Sequence, residues 1–104
     1  MFFQPNVLIV LLYKNPSKLV VFENFELKFA KIYPDFTKNL VRLVDNLSPS
    51  EIKICMCIKM TYSNMQIKDY MKISDSTIAN LRSSVRNKLG LKRTQSLTNA
   101  ILLI

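Results

Sequence analysis

Residues 77–89 carry polar side chains at helical spacing, and the chemistry these side chains suit is hydrogen bonding. If the segment is a helix, its uncharged polar side chains lie opposite the apolar ones. They are Asn80, Ser83, Ser84 and Asn87, with Ala79 at the edge of their face. Asn can bond adenine bidentately, Ser can serve any base, and Ala can contact a thymine methyl group. The pattern suits the edges of nucleic-acid bases, although a surface helix with no partner would also carry it.

Cations flank and follow this polar face. Arg86 and Lys88 flank it within the segment, and Lys92 and Arg93 come after it. Lys and Arg at such positions suit contacts to nucleic-acid phosphates, which hold a protein in register on the duplex. No Asp or Glu follows Asp75 in the chain, so the cations after that residue have no acidic neighbours in sequence.

The positive charge is concentrated in the second half of the chain. The formal net charge of the whole chain is +8. Residues 47–104 hold nine Lys and Arg against three Asp and Glu, whereas residues 1–46 hold six against four. A field of one sign fits a polyanionic partner. The alternative is a solvated basic face that only keeps the protein soluble.

The composition argues against catalysis and against a bound metal or cofactor. There is no His and only one Gly in 104 residues, so the sequence offers no triad, metal cluster or phosphate-cradling loop. Cys55 and Cys57 would point about 200° apart on a helix, and we expect two buried, reduced thiols in a cytoplasmic protein. We therefore expect no enzyme activity, no cofactor, no metal and no small-molecule ligand.

Three start signals and one stop signal define the helices that must position the polar face. Each start signal places an oxygen-bearing side chain before an apolar run. The three begin at Ser48, Ser63 and Ser74, and the first two are capping boxes closed by Glu51 and Gln66. Gly90, the only glycine, fits a left-handed residue that ends the third helix. Short helices joined by a tight turn and followed by a basic helix are the layout of a helix-turn-helix DNA reader.

One cation of the third helix falls near its apolar side. Four residues form the inward stripe of this helix: Ile78, Leu81, Val85 and Leu89. Arg82 lies about 40° from Ile78 on a helical wheel. A cation directed toward the core needs a carboxylate or exposed carbonyl groups. We expect Glu51 or Asp69 to be the partner of Arg82.

Two further segments precede the capped helices. Apolar residues recur at three- and four-residue steps on both sides of Pro34, which predicts helices at about 22–32 and 35–45. The aromatic residues among them suit a core or a dimer seam better than base stacking. Before them, residues 7–13 and 18–22 are apolar runs separated by a turn signal, which fits a hairpin. The first run is far too short to span a membrane.

Four stretches of the second half together resemble the LuxR-type (GerE/FixJ-like) helix-turn-helix output domain. They lie at 47–52, 63–67, 73–78 and 85–91, in the order and spacing of that family. Residues 22–55 also resemble a branch of it that is often attached to tetratricopeptide repeats and a membrane helix. In that branch an apolar–Cys pair in the first helix and an Arg at the position of Arg82 look usual.

The resemblance implies which residues would touch DNA. It implies base contacts by Ala79, Asn80 and Ser83. It implies phosphate contacts by Ser63, Thr77, Lys88 and the loop after Gly90. Many members carry Lys where Ala79 stands and His where Leu81 stands, so the DNA site that this chain reads should differ from theirs.

From the sequence we expect an all-α fold with a tri-helical helix-turn-helix core. A fourth helix would follow this core, one or two helices would precede it, and the N-terminus would be short and irregular or hairpin-like. Residues 1–21 stay unassigned, 22–46 would form a helical tether, and 47–104 the DNA-binding output domain of a cytoplasmic transcriptional regulator. Its partner would be double-stranded DNA, with RNA polymerase as a further partner and a homodimer left open. The alternatives are a protein-interaction module docking on RNA polymerase or another regulator, and a truncated, inactive remnant.

Overall fold

The structure, a computed structural model, describes residues 25–104, and every regular element in this range is a helix. The helices are α1 (Phe25–Ile32), α2 (Phe36–Leu43), α3 (Pro49–Lys59), α4 (Asn64–Met71), α5 (Asp75–Lys88) and α6 (Leu97–Leu102). The predicted all-α fold is confirmed for this range. The hairpin predicted at residues 7–22 and the unassigned segment 1–21 lie outside the described residues. None of the helices in residues 25–104 has the length and apolar character needed to cross a membrane.

The chain divides into two compact units. The first, Met1–Tyr33, contains α1, and the second, Pro34–Ile104, contains α2 to α6. The predicted break at Pro34 is confirmed, because α1 ends two residues before it and α2 begins two residues after it. α2, which the sequence analysis assigns to the tether, lies in the same compact unit as α3 to α6.

Within the second unit, α3 is the central element. It packs against α5 and α6, and α5 packs in turn against α4. Five consecutive residues of α3 are buried, from Ile54 to Ile58. The predicted inward stripe of α5 is also found, with Ile78 and Val85 buried and Leu81 and Leu89 partly buried. From α2, Phe36 and Leu40 are buried, and the Lys59 ammonium lies 5.7 Å from the centroid of the Phe36 ring.

The predicted start signals all cap their helices. The Ser48 hydroxyl accepts the Glu51 amide at 3.1 Å, and the Glu51 carboxylate accepts the Ser48 amide at 2.7 Å. Ser63 and Gln66 make the same reciprocal pair at 3.2 and 2.8 Å. Ser74 accepts the amide of Thr77 at 3.2 Å. Since each cap satisfies backbone donors that the helix itself leaves open, the caps determine where the helices begin.

Two helices end in the same hydrogen-bonded motif. At the end of α5, Gly90 has φ +69°, its amide bonds the carbonyl of Asn87, and the Leu91 amide bonds the carbonyl of Arg86, both at 3.1 Å. This is a Schellman motif, and it confirms the predicted left-handed glycine. The end of α3 repeats both bonds, with Thr61 in the left-handed position at φ +58°. A β-branched residue is unusual there, because its side chain disfavours positive φ.

Gly90→Ala should destabilise the protein by about 1 kcal/mol. A Cβ added at this position would meet no heavy atom within 4 Å, so the cost arises from the backbone conformation alone. Urea unfolding monitored by circular dichroism measures it. An unchanged midpoint would contradict the role of a left-handed residue at the end of α5.

Thr61→Gly should have the opposite effect and stabilise the protein by about 0.5–1 kcal/mol. The substitution relieves the cost of positive φ at a β-branched residue, and the greater freedom of Gly in the unfolded chain offsets part of the gain. Thr94→Gly is the matched control, since Thr94 is exposed and does not have positive φ. If both substitutions lower the unfolding midpoint alike, the positive φ of Thr61 does not reduce the stability of the protein.

Candidate nucleic-acid interface

α4 and α5 form the helix-turn-helix pair. Three residues join them, and the first, Lys72, has left-handed backbone angles of φ 57° and ψ 48° that turn the chain after α4. The last of the three, Ser74, caps α5. An exposed ion pair spans the turn, with the Lys68 ammonium 3.3 Å from a carboxylate oxygen of Asp75. The turn therefore places the first residues of α5 at the surface.

The residues predicted to contact bases lie on the exposed side of α5. Ala79, Asn80 and Ser83 are exposed, and so is Asn87. No hydrogen bond joins these side chains to any other residue of the described range. Asn80 and Asn87 are seven positions apart, so the exposed polar face extends about 10 Å along the helix. It is free to bond a partner.

Ser84 does not belong to this exposed face, contrary to the sequence prediction. It is partly buried, and its hydroxyl donates to the carboxylate of Glu51 on α3. Ser84 follows Leu81 by three positions and so lies only about 60° around the helix from this inward residue. The packing of α3 against α5 draws it inward.

Glu51 is a buried carboxylate, only 4% exposed. Besides the Ser48 amide and the Ser84 hydroxyl, it accepts the Lys88 ammonium at 2.7 Å. Burial by itself raises the pKa of this carboxyl, but hydrogen bonds from Lys88, Ser84 and Ser48 and the charge of Lys88 outweigh it and lower the pKa to about 2. Glu51 is therefore ionised in the folded protein across the physiological pH range.

Lys88, predicted as a phosphate contact, makes its hydrogen bonds within the domain. Its ammonium bonds Glu51 and also donates to the carbonyl of Asn46 at 2.9 Å. Its side chain is 29% exposed. These two bonds join the end of α5 to α3 and to the segment before it. This structural role explains a Lys at position 88 even if it contacts no phosphate. A phosphate contact by Lys88 stays a prediction.

Arg82 has a different partner from the one expected. Its guanidinium donates to the Thr98 hydroxyl of α6 at 3.5 Å, and neither Glu51 nor Asp69 pairs with it. The expectation was wrong because Lys88 and Ser84 bond Glu51 instead, and because Arg82 reaches α6. Burial raises the pKa of the Cys55 thiol to about 12, and Cys55 and Cys57 are both buried and form no disulfide. The thiol of Cys55 stays protonated and unreactive.

Arg86 braces the loop that follows α5. The two terminal nitrogens of its guanidinium donate to the carbonyls of Gln95 at 2.8 Å and of Lys92 at 2.9 Å. Within the loop, the Gln95 side chain accepts the Lys92 amide at 2.6 Å, and the Gln95 amide bonds the Lys92 carbonyl at 2.9 Å. This leaves the side chains of Lys92 and Arg93 exposed. No sequence pattern predicts this brace, because every residue has a backbone carbonyl and the acceptors therefore have no sequence signature.

Ser63 and Thr77, the remaining predicted phosphate contacts, are exposed in the first turns of α4 and α5. The Ser63 hydroxyl already accepts one amide, and the Thr77 hydroxyl lies 3.0 Å from the Ser74 hydroxyl. A hydroxyl can make further hydrogen bonds beyond these. No group of His, Cys, Asp or Glu in residues 25–104 is arranged to hold a metal ion.

Comparison of the chain with protein-family models, with curated proteins and with solved structures found no match. The likeness to LuxR-type output domains therefore rests on the four sequence motifs, and family membership stays a prediction.

Glu51→Gln should lower the stability of the protein at neutral pH by about 1–3 kcal/mol, because Lys88 loses its counter-ion and the buried site is less well satisfied. The substitution should also reduce the fall in the free energy of unfolding that occurs as the pH is lowered. The folded pKa lies below the ordinary 4.5, so the contribution of Glu51 is fully present above about pH 4.5 and is lost as the pH falls toward about 2.

Urea unfolding at a series of pH values measures both effects. Asp69→Asn, which removes an exposed carboxylate, is the control and should leave this pH dependence close to that of wild type. Parallel curves for wild type and Glu51→Gln between pH 5 and 2 would show that Glu51 does not carry this dependence.

Proposed function

We propose that residues 47–104 bind double-stranded DNA as the output domain of a transcriptional regulator, with α5 in the major groove. One observation carries the proposal. α5 presents a polar face that makes no side-chain hydrogen bond within the described residues, and it is followed by a braced loop that exposes two cations. A face of this kind has hydrogen-bonding capacity that a partner can use, and the adjacent charge favours a polyanion.

The dimensions of α5 fit this role. Its 14 residues make a helix about 21 Å long, and the major groove of DNA is about 12 Å wide. Helix-turn-helix proteins contact bases with the N-terminal residues of the second helix. Ala79 and Asn80 lie in the N-terminal half of α5, and Ser83 lies about one turn further along.

Phosphate contacts in this proposal come mainly from the loop after α5. Lys92 and Arg93 are exposed there, and Arg86 fixes the backbone that carries them. The hydroxyls of Ser63 and Thr77 would add contacts from the first turns of α4 and α5. A regulator acting on DNA in this way would be cytoplasmic, as the sequence analysis expected.

Docking on a protein is the second candidate function. Several large apolar side chains of the second unit are exposed, and the most exposed are Leu43 (65%), Met65 (77%) and Leu103 (88%). RNA polymerase, another regulator or a second copy of the chain would be the partner. Binding through these side chains would depend little on salt, which separates this function from DNA binding.

DNA binding should weaken as salt rises, and Lys92→Gln/Arg93→Gln should make that dependence shallower. Each lost phosphate contact reduces the slope of log K against log[salt] by about 0.9, so the double variant should lose about two units. Titration of a fluorescent duplex at four or five salt concentrations measures the slope.

Lys38→Gln/Arg42→Gln is the matched control, because it removes the same charge from exposed positions of α2. It should change the slope much less. Equal effects of the two double variants would mean that only the total charge matters. Wild-type binding that stays constant with salt would favour the protein-docking function.

A further inference from the structure

Every cation of α5 is engaged inside the domain. Arg82 bonds the Thr98 hydroxyl, Arg86 bonds two carbonyls of the following loop, and Lys88 bonds Glu51 and the carbonyl of Asn46. Asp75, the only carboxylate on the helix, pairs with Lys68 of α4. The face of α5 formed by Ala79, Asn80, Ser83 and Asn87 is therefore uncharged, although three of the fourteen residues of the helix are basic.

An uncharged face limits which base pairs the helix can read. Guanine presents two acceptors, O6 and N7, in the major groove, and its commonest partner is a bidentate Arg or Lys. Adenine presents one acceptor and one donor, N7 and the N6 amino group, which match the amide of Asn. Of the side chains on this face, Asn80 has both groups and lies in the half of the helix expected to meet bases.

Ala79 adds an apolar contact beside Asn80. The thymine methyl group is the apolar feature of the major groove, and a small apolar side chain contacts it well. Ala79 is exposed and precedes Asn80 by one residue, so it lies about 100° around the helix from it. The two side chains can therefore face neighbouring positions of the groove.

We propose that α5 selects A·T base pairs, with Asn80 bonding an adenine and Ala79 contacting a thymine methyl group. This rests on the proposed DNA-binding function and adds a specificity to it. Guanine is not a preferred base at the positions that α5 contacts, because no cation of the helix is free to reach its two acceptors.

Selection from random-sequence duplexes with the full chain is the first test. The selected sites should contain A·T pairs at the positions that the protein protects. 7-Deazaadenine, which lacks the N7 acceptor, is then substituted singly for each selected adenine. One substitution should weaken wild-type binding by about fivefold to tenfold.

Asn80→Ala tests the assignment of that adenine. The variant should bind the selected site more weakly than wild type, and the critical 7-deazaadenine should then cause no further loss. Asn99→Ala is the matched control, since Asn99 is an exposed asparagine on α6, and it should keep the full loss. Thermal unfolding confirms that both variants are folded.

Three outcomes would overturn the inference. In the first, the selected sites carry G·C pairs at the protected positions. In the second, 7-deazaadenine weakens wild type and Asn80→Ala alike. In the third, DNA is bound with no sequence preference, which leaves DNA binding standing but removes the specificity. Failure to bind any duplex would instead overturn the proposed function itself, so the two failures are distinguishable.

Discussion

The buried carboxylate of Glu51 fixes the position of α5 against α3. It accepts the Ser48 amide at the start of its own helix, and it accepts the Ser84 hydroxyl and the Lys88 ammonium from α5. A buried carboxylate that loses such donors is strongly destabilising. α5 therefore cannot slide or rotate along α3 without leaving this charge unsatisfied. Because the register of α5 is fixed in this way, so is the set of its residues that faces outward.

The same interaction decides which side chains are available to a partner. Lys88 and Ser84 face inward because Glu51 bonds them, and Arg86 is turned toward the loop after α5. The helix that would enter the groove thus contributes its cations to stability and its asparagine and serine side chains to the surface. Positive charge for phosphates comes from the loop instead, where Lys92 and Arg93 are exposed.

The sequence predicted the interactions between residues close together in the chain and missed those between residues far apart. The caps at Ser48 and Ser63 and the helix end at Gly90 were predicted, because their hydrogen bonds join residues within a few positions of each other. The inward stripe of α5 was predicted from periodicity. The partners of Arg82 and Lys88 were not, because a helical wheel gives the direction of a side chain and says nothing about which helix lies there. The left-handed conformation of Thr61 could not be predicted from its residue type, because the hydrogen bonds at the end of α3 impose this conformation.

In the proposed complex, this arrangement separates affinity from specificity. The exposed cations lie in a loop that Arg86 braces, and their attraction to phosphates is the same for every sequence and is screened by salt. The polar face of α5 carries no charge, so its hydrogen bonds to base edges depend on the fit of donors to acceptors. Raising the salt concentration then weakens binding to all DNA alike and leaves the discrimination by Asn80 nearly intact. In that complex the choice of site would depend on a few uncharged side chains of α5, and the bonds of Glu51 to Ser84 and Lys88 fix the register of that helix.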